Sequence, residues 1–497
     1  MKKKALVIGA GLAGMSAAIR LRADGYEVKV LEKNGRVGGK LNRLASQGFI
    51  FDTGSTILTM PWVLEQLFAS VHRRLEDYIP IKRVEPHSRV FFEDGVQLDL
   101  TSDLPELIAE MKRVGNGPKQ SVLKFLNYSE ELYELHMKSF YKYSLTDSKD
   151  MKKHHNLREL MAMEAMSTVA EGTKKRLDNP HLEQLFNHFA LDSGSNPYQA
   201  PAILNQSIYV QLALGIYYVP GGMYNIARGM ERVLDELEVE VQLNSSVDSL
   251  VLNGETVTGA HTIDGVVHEA DIVVSNLGAI PVYRNLIMQK KAKKEAKRLN
   301  KTFIPSASGM VMLLGVDRKF ENFTHHNLFL SKDPEKEFKD IFEKGIPTDD
   351  PTVYVGISSR TDASQAPEGK DSLYVLTHVP AIKEGQQDKE DWNRYREIIL
   401  DKLERMGMDG LRDSIEFEDG FTPKDLEALY GSNGGSIYGV ASDKKKNGGF
   451  KIPARSELYK NLYFVGATTH PGGGLPSVIL SGQLTADLIK KNEGLKE

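Results

Sequence analysis

Near its start the chain carries three glycines at fixed spacing, Gly9-Ala10-Gly11-Leu12-Ala13-Gly14, between a short apolar run and a helix-compatible stretch. That pattern leaves few folds open. Residues 5–9 read as a buried strand, 12–24 as a helix and 27–32 as a second strand, which predicts a βαβ unit. Each glycine has a task in such a unit. Gly9 makes the tight turn, Gly11 lets the backbone approach a pyrophosphate, and Gly14 packs helix on sheet, while the helix N-terminus offers free N–H groups to phosphate. Glu32 closes the second strand, where an acid accepts hydrogen bonds from ribose hydroxyls. Strand, helix and acid together predict dinucleotide binding.

A second set of glycines separates a flavin from a nicotinamide dinucleotide. Gly38-Gly39-Lys40 comes six residues after Glu32, then Gly48-x-x-x-Asp52-x-Gly54. Glycines so close to the first set suit an FAD that lies across the sheet and is approached again near its pyrophosphate and flavin. The C-terminal run Gly466-Ala-Thr-Thr-His470-Pro-Gly-Gly-Gly474-Leu475-Pro476 reads as the turn between a strand and a helix over 477–490, whose N-terminus would face the same cofactor. An ordinary turn is the competing reading of those glycines.

Composition removes other chemistries. The 497 residues contain no cysteine, which excludes disulfide scaffolds, iron–sulfur clusters, Cys-ligated zinc and thiol nucleophiles. Redox chemistry must be borrowed. A net charge of −4, from 63 basic and 67 acidic residues, gives no electrostatic reason to bind nucleic acid. The run after Met1-Lys2-Lys3-Lys4 is too short for a signal peptide and no window is apolar enough to span a bilayer, so the expected location is cytoplasmic.

Charge is distributed unevenly. Residues 193–227 and 461–486 hold no Asp, Glu, Lys or Arg, and 46–64 holds only Asp52. These segments read either as core between turns or as walls of a long, neutral cavity for an apolar ligand. Residues 200–215 could form one helix that turns Leu204, Ile208, Tyr209 and Leu212 toward such a cavity. Asp94-Gly95, Asn253-Gly254 and Asp264-Gly265 predict hairpins, the last two within a meander over 247–269 that leads into a buried strand at 271–275. Trp392, Tyr395, Ile399 and Leu403 share a helical face ending at Gly407.

These motifs resemble the carotenoid desaturase family of flavoproteins, the bacterial phytoene-desaturase type. Its series of G-x-G-x-x-G, acid, G-G and G-x-x-x-D-x-G matches Gly9 through Gly54, and the likeness continues through Tyr218-Val-Pro-Gly-Gly222, His325-His326-Asn327 and Ser432–Gly439 to the chain end. Within the family it is most similar to the branch of diaponeurosporene oxygenases and diapophytoene desaturases. Ser55 departs from the usual proline after D-x-G, which affects turn stiffness. The resemblance implies an α/β fold, with a Rossmann-like FAD-binding domain of the amine oxidase/phytoene desaturase type and an interleaved α+β substrate domain. Residues 1–60, 215–290 and 455–497 would form the first; 61–214 and 291–454 would form the second, which faces substrate and membrane.

The same resemblance implies noncovalent FAD held at Gly9, Gly11, Leu12, Ala13, Gly14, Glu32, Gly39, Lys40, the backbone of Val247, Gly474, Leu475 and Pro476, with Ala10, Lys33, Gly38, Leu41 and Gly466 in the same motifs. Lys40 would stabilise reduced flavin or the pyrophosphate, its alternative being a solvated side chain. The implied function is FAD-dependent oxidation of an acyclic thirty-carbon carotenoid, at a terminal methyl group or by desaturation. Hydride loss from an allylic carbon would leave a cation delocalised along the polyene, resolved by proton loss or by water.

Asp192, at the edge of the longest uncharged segment, and His470, in the C-terminal motif, are the candidate acids or bases, though a lone acid at such an edge is more often a helix cap. The pairs His154-His155 and His325-His326 diverge on a strand or helix, so no metal site is expected. A hydrocarbon substrate implies a membrane surface as partner, and the basic stretch 288–301, with seven cations and Glu295, could dock on it. Other carotenoid-pathway enzymes are further possible partners. An amine-oxidase-like enzyme and a non-catalytic isoprenoid-binding protein are the competing functions.

Overall fold

The computed structural model describes residues 2–115, 118–383, 385 and 390–494. Strand β1 (Lys4–Ile8) is buried at four of five positions, as a central parallel strand covered on both faces must be. Helix α1 (Leu12–Ala23) returns the chain to β2 (Glu27–Leu31), which lies parallel to β1. The sheet has the order Leu462–Phe464, Ile272–Ser275, β1, β2, Glu240–Gln242, all parallel. Two of its five strands thus come from beyond residue 270, and the C-terminal motif ends up beside the N-terminal one.

The C-terminal helix Leu475–Asn492 seals that arrangement against α1. A Cβ at Gly482 would lie 2.4 Å from the Ala13 carbonyl oxygen, so the two backbones meet where only glycine fits. Ser16 Oγ donates to the Ile479 carbonyl at 2.6 Å across the same contact. The predicted meander forms as Val247–Asn253, Thr256–Thr262 and Val267–Glu269, all antiparallel.

A second sheet of seven strands runs in the order Ile415–Phe421, Ser308–Val316, Asp371–Val379, Val353–Gly356, His326–Phe329, Ser88–Phe91, Gln97–Leu100. Only the pair His326–Phe329 and Ser88–Phe91 is parallel. Ser308–Val316 is buried at all nine positions, and its alternation decides what each face meets. Met310, Met312 and Leu314 pack under the helix Trp392–Arg405, on Tyr395, Ile399 and Leu403. Val311 and Leu313 face Phe49 and Phe51. The Asp94-Gly95 hairpin joins Ser88–Phe91 to Gln97–Leu100, and the helices Pro118–Lys138 and Pro180–His188 cover that end of the sheet through Phe125, Leu132, Leu182 and Phe186.

Residues 200–215 do not form one helix. A 3-10 turn, Ala202–Asn205, precedes the helix Gln206–Leu212. The hydroxyl of Ser129 sits between them, donating to the Asn205 carbonyl at 2.7 Å and accepting the Tyr209 N–H at 2.8 Å. A side chain inserted into the i to i+4 ladder breaks a helix in this way.

Candidate functional site

Where β1 ends, the chain turns through Gly9 at φ 98°, and two glycine loops come together. Gly38 N–H donates to the Ala10 carbonyl at 2.8 Å, Gly11 bridges Gly38, and a Cβ on Gly39 would stand 3.1 Å from Gly11 Cα. Ala10 and Gly14 lie behind this surface. A Cβ on Gly14 would fall 2.0 Å from the Gly9 carbonyl oxygen, so Gly14 sets helix against turn. Gly9, Gly11, Leu12 and Ala13 line the cavity in front.

Helix α1 starts after Gly11 with no side-chain cap, and the C-terminal helix starts after Gly474 with none. First-turn amides have no acceptor within their own helix. Two helix N-termini therefore open on one cavity, which favours anionic groups there. The Glu32 carboxylate lines the same cavity. Its Oε2 accepts the Ala10 N–H at 2.8 Å and its Oε1 accepts from Asn34 N and Nδ2, both at 2.9 Å. Lone pairs remain for hydroxyl donors. Lys33, Val247, Gly38, Gly39, Leu41, Gly466, Leu475 and Pro476 complete this end. These surfaces, on which Gly9, Gly11, Gly38 and Gly39 present bare backbone to the cavity, fit a dinucleotide.

The Lys40 side chain is enclosed rather than solvated. Its Nζ donates to the carbonyls of Ser436 at 2.6 Å and Ile437 at 3.2 Å, and burial pushes the ammonium down to about 8. Asp52, the acid of the second glycine motif, does not line the main cavity; burial pushes its carboxyl up to about 7, and the backbone amides of Met223 and Tyr224 face it.

The cavity measures about 1350 Å³, above the roughly 300–1,000 Å³ usual for one drug-sized ligand. It has room for a dinucleotide and a second molecule. All three uncharged segments contribute to its wall, through Thr53–Ile57, Ile203, Leu204 and Val210, and Gly466–Thr468. The wall beyond the glycine loops is mainly aliphatic and aromatic, with Tyr354, Tyr374 and Tyr438 among its rings.

Asp192 sits in the 3-10 helix Phe189–Ser193, not at a cap position. Its carboxyl is open to the cavity and enclosed by protein on the other sides, and the loss of bulk water pushes it up to about 7. Gln211 Nε2 donates to Oδ2. His188, His378 and Tyr438 line the wall nearby, with the His378 and Tyr438 rings stacked at 5.9 Å. Sequence reasoning missed Gln211, His378 and Tyr438, which carry no local signature. It also missed Lys451, whose Nζ donates to the Val440 carbonyl at 2.6 Å and whose ammonium burial pushes down to about 7.

Other expectations need correction. His470 does not line the cavity. Its Nε2 meets the Phe140 carbonyl at 2.7 Å and burial pushes the imidazole down to about 4, so its ring is part of the packing. The residues of 200–215 that meet the cavity are Pro201, Ile203, Leu204, Gln206, Ser207, Val210 and Gln211. Ile208 and Leu212 instead fill the core with Phe125, and the Tyr209 ring packs on Tyr133 at 5.4 Å. His325 and His326 do not diverge; their rings lie 4.2 Å apart, with Nδ1 atoms on Thr361 and Tyr354. Among the described residues no group of three His, Cys, Asp or Glu could hold a metal, and no helix is long and apolar enough to cross a membrane. The basic helix Lys290–Thr302 buries Ala292, Ala296 and Leu299 and contributes no residue to the cavity.

The profile of the flavin containing amine oxidoreductases matches residues 12–490, nearly the whole chain, from the start of α1 through the C-terminal glycine run. The chain belongs to this family. As a flavin oxidoreductase it is 39% identical over 493 residues to the 4,4'-diaponeurosporene oxygenase of Staphylococcus haemolyticus, covering 99% of this chain and 98% of that one. It is 41% identical over 492 residues to the 4,4'-diapolycopene oxygenase of a Methylomonas species, covering 98% of each chain. Its fold is also that of an oxidoreductase from Methanosarcina mazei, with a TM-score of 0.66 at 18% identity over 98% of this chain and 100% of that one.

Proposed function

We propose that this flavin oxidoreductase uses noncovalent FAD to oxidise a terminal methyl group of an acyclic thirty-carbon carotenoid. The observation that carries the proposal is the continuity of the cavity, which passes from an anion-binding, backbone-lined end into a long aliphatic space with Asp192 as its interior carboxyl. The names of the relatives, each covered almost end to end, point to the same substrate class.

In this reading Gly9, Gly11, Leu12 and Ala13 hold the pyrophosphate, Glu32 the ribose, and Val247 the adenine edge. Gly39, Lys40, Leu41, Gly466, Gly474, Leu475 and Pro476 surround the flavin. Absence of cysteine removes a cysteinyl link to the ring. Segments 1–60, 215–290 and 455–497 serve the cofactor, and 61–214 with 291–454 serve the substrate. The flavin, when bound, supplies a two-electron acceptor for a hydride. The chain's own part is to exclude water, to hold an allylic C–H bond by shape alone, and to provide a base. Asp192 is that base: Gln211 orients its carboxyl, and ionised it takes a proton from the substrate carbon or from a water that attacks it.

The experiment is expression in cells supplied with diaponeurosporene or with diapophytoene, followed by product identification. A terminal alcohol or aldehyde from the first supports the proposal. New conjugated double bonds from the second, without oxygen, replace it with desaturation. Label from dioxygen rather than water in the aldehyde would overturn the water-capture step alone.

A further inference from the structure

Two short helices, Ser148–His154 and Leu157–Ala162, and the loop 443–449 contribute to the cavity wall, and Lys152, Ala165, Met166 and Lys445 both line it and are exposed, so the cavity has a mouth there. Leu160, Met163 and Met151 turn inward there and line it. Leu157 and Met161, four residues apart on one helical face, point outward at 75% and 71% exposure, and Met166 beside them is 86% exposed. The Met166 carbonyl accepts Lys444 Nζ at 2.7 Å, which joins the helical side of the mouth to the loop. Apolar side chains exposed together, rather than scattered singly, mark an interaction surface.

Charge around them is mainly basic. Lys142, Lys149, Lys152, Lys153, Arg158, Lys445 and Lys446 are exposed, whereas Asp147 is the exposed acid of the two segments 142–166 and 443–446, and the exposed Glu171 nearby is paired with Lys444. Asp150, Glu159 and Glu164 are half-buried and spent on ion pairs with Lys153, Lys138, and Lys175 and Arg176. An apolar tip within a cationic ring is complementary to a bilayer with anionic headgroups, since each layer of the membrane meets its match.

We infer that this mouth docks on an anionic lipid bilayer, with Leu157, Met161 and Met166 entering the interface and the surrounding cations on the headgroups. A hydrocarbon then passes from the bilayer into the cavity without crossing water. The inference rests on the proposed carotenoid substrate for its purpose, but not for its geometry. The basic helix Lys290–Thr302 buries Ala292, Ala296 and Leu299 and follows the exposed Met288, but it contributes no residue to the cavity. It is the control.

The test is co-sedimentation of the flavin-loaded protein with phosphatidylcholine vesicles, with and without phosphatidylglycerol. Three variants are compared with the starting protein: Leu157→Ser/Met161→Ser, Lys149→Glu/Arg158→Glu/Lys446→Glu, and the control Lys293→Glu/Lys294→Glu/Lys297→Glu. None of these residues lines the cavity. The expected result is binding that needs phosphatidylglycerol, falls at least tenfold in the first variant, falls at least about fivefold per reversed cation in the second, and changes less than twofold in the control. Unchanged flavin absorption and melting temperature establish folding. Equal losses in the control, no loss at the mouth, or no vesicle binding by the starting protein each overturn the inference. Turnover of detergent-dispersed substrate separates the two readings: a protein that binds vesicles through the mouth but oxidises no carotenoid refutes the function and leaves the docking surface standing.

Discussion

Glu32 accepts the backbone N–H of Ala10 at 2.8 Å, which ties the end of β2 to the turn after β1. One carboxylate thus shapes the loop and presents its remaining lone pairs to the cavity. Glu32→Ala removes both the tether and the acceptor for ribose hydroxyls. Hydrogen bonds to a charged group contribute about 1.5–3 kcal/mol, so FAD affinity should fall roughly tenfold to a hundredfold, measured by fluorescence titration of the apoprotein. Glu32→Gln keeps the shape and one acceptor and should lose less. Equal affinity in all three proteins would remove Glu32 from the cofactor site.

Gly11 and Gly14 are expected to fail differently. A Cβ on Gly11 meets Asn276 Oδ1 at 2.5 Å, a side-chain atom that can turn aside, whereas on Gly14 it meets the Gly9 carbonyl at 2.0 Å, which cannot. Gly14→Ala should cost about 1–3 kcal/mol of stability as an overpacking defect. Gly11→Ala should leave the melting temperature nearly unchanged and weaken flavin binding, because Gly11 lines the cavity and Gly14 does not. Thermal melts of the apoproteins beside flavin titrations decide it.

The glycine loops, the βαβ unit and the three hairpins were legible in the sequence because each is a local pattern in which a few adjacent residues dictate the backbone. The cavity face of residues 200–215 was not. Both faces carry apolar side chains there, and the break comes from Ser129, on the distant helix Pro118–Lys138, whose hydroxyl replaces a helical bond. Asp192 could be singled out as an acid at a charge boundary, but only the fold brings Gln211 to it and places it on the cavity wall. His470 stands in a motif that lines the cavity, yet its ring turns to the Phe140 carbonyl, a contact 330 residues away in sequence. Strand order in the second sheet, with Ser88–Phe91 beside His326–Phe329, is equally non-local.

Lys40 predicts a pH dependence of cofactor binding. Burial holds its ammonium down to about 8 in the protein alone. A nearby anion in the complex favours the charged form and raises it. Binding is therefore strongest below about pH 8 and weakens as pH rises through the value in the complex, since above 8 the lysine must take up a proton to bind. FAD titrations at pH 7 and 9 should show weaker binding at the higher pH, and Lys40→Met should flatten the difference. Lys451→Met, at a second enclosed lysine on the cavity wall, should retain it.

Asp192 acts as a base only when ionised, and burial holds its carboxyl up to about 7. A hydrocarbon filling the cavity displaces more water and pushes it higher. Turnover should then rise with pH through and above 7. Asp192→Asn keeps the contact with Gln211 and removes the base, so kcat should fall by about 10²–10⁴ and the residual rate should lose its rise with pH. Flavin absorption should not change. A variant that keeps full turnover would assign the proton transfer to another group.

Val210 and Ile208 stand two residues apart and face opposite ways, Val210 to the cavity and Ile208 to the core with Phe125 and Leu185. Val210 also belongs to the buried core around Tyr141 and Tyr218, so enlarging it should both obstruct a long ligand and overpack that core. Val210→Phe is expected to cost about 1–3 kcal/mol of stability, while carotenoid turnover per folded, flavin-loaded molecule falls at least tenfold through KM. Ile208→Ala removes buried atoms from a packed core and should cost about 2–5 kcal/mol of stability, with activity per folded, flavin-loaded molecule retained. If instead Ile208→Ala abolishes turnover in protein that melts normally, and Val210→Phe is silent, the substrate lies on the other side of this helix.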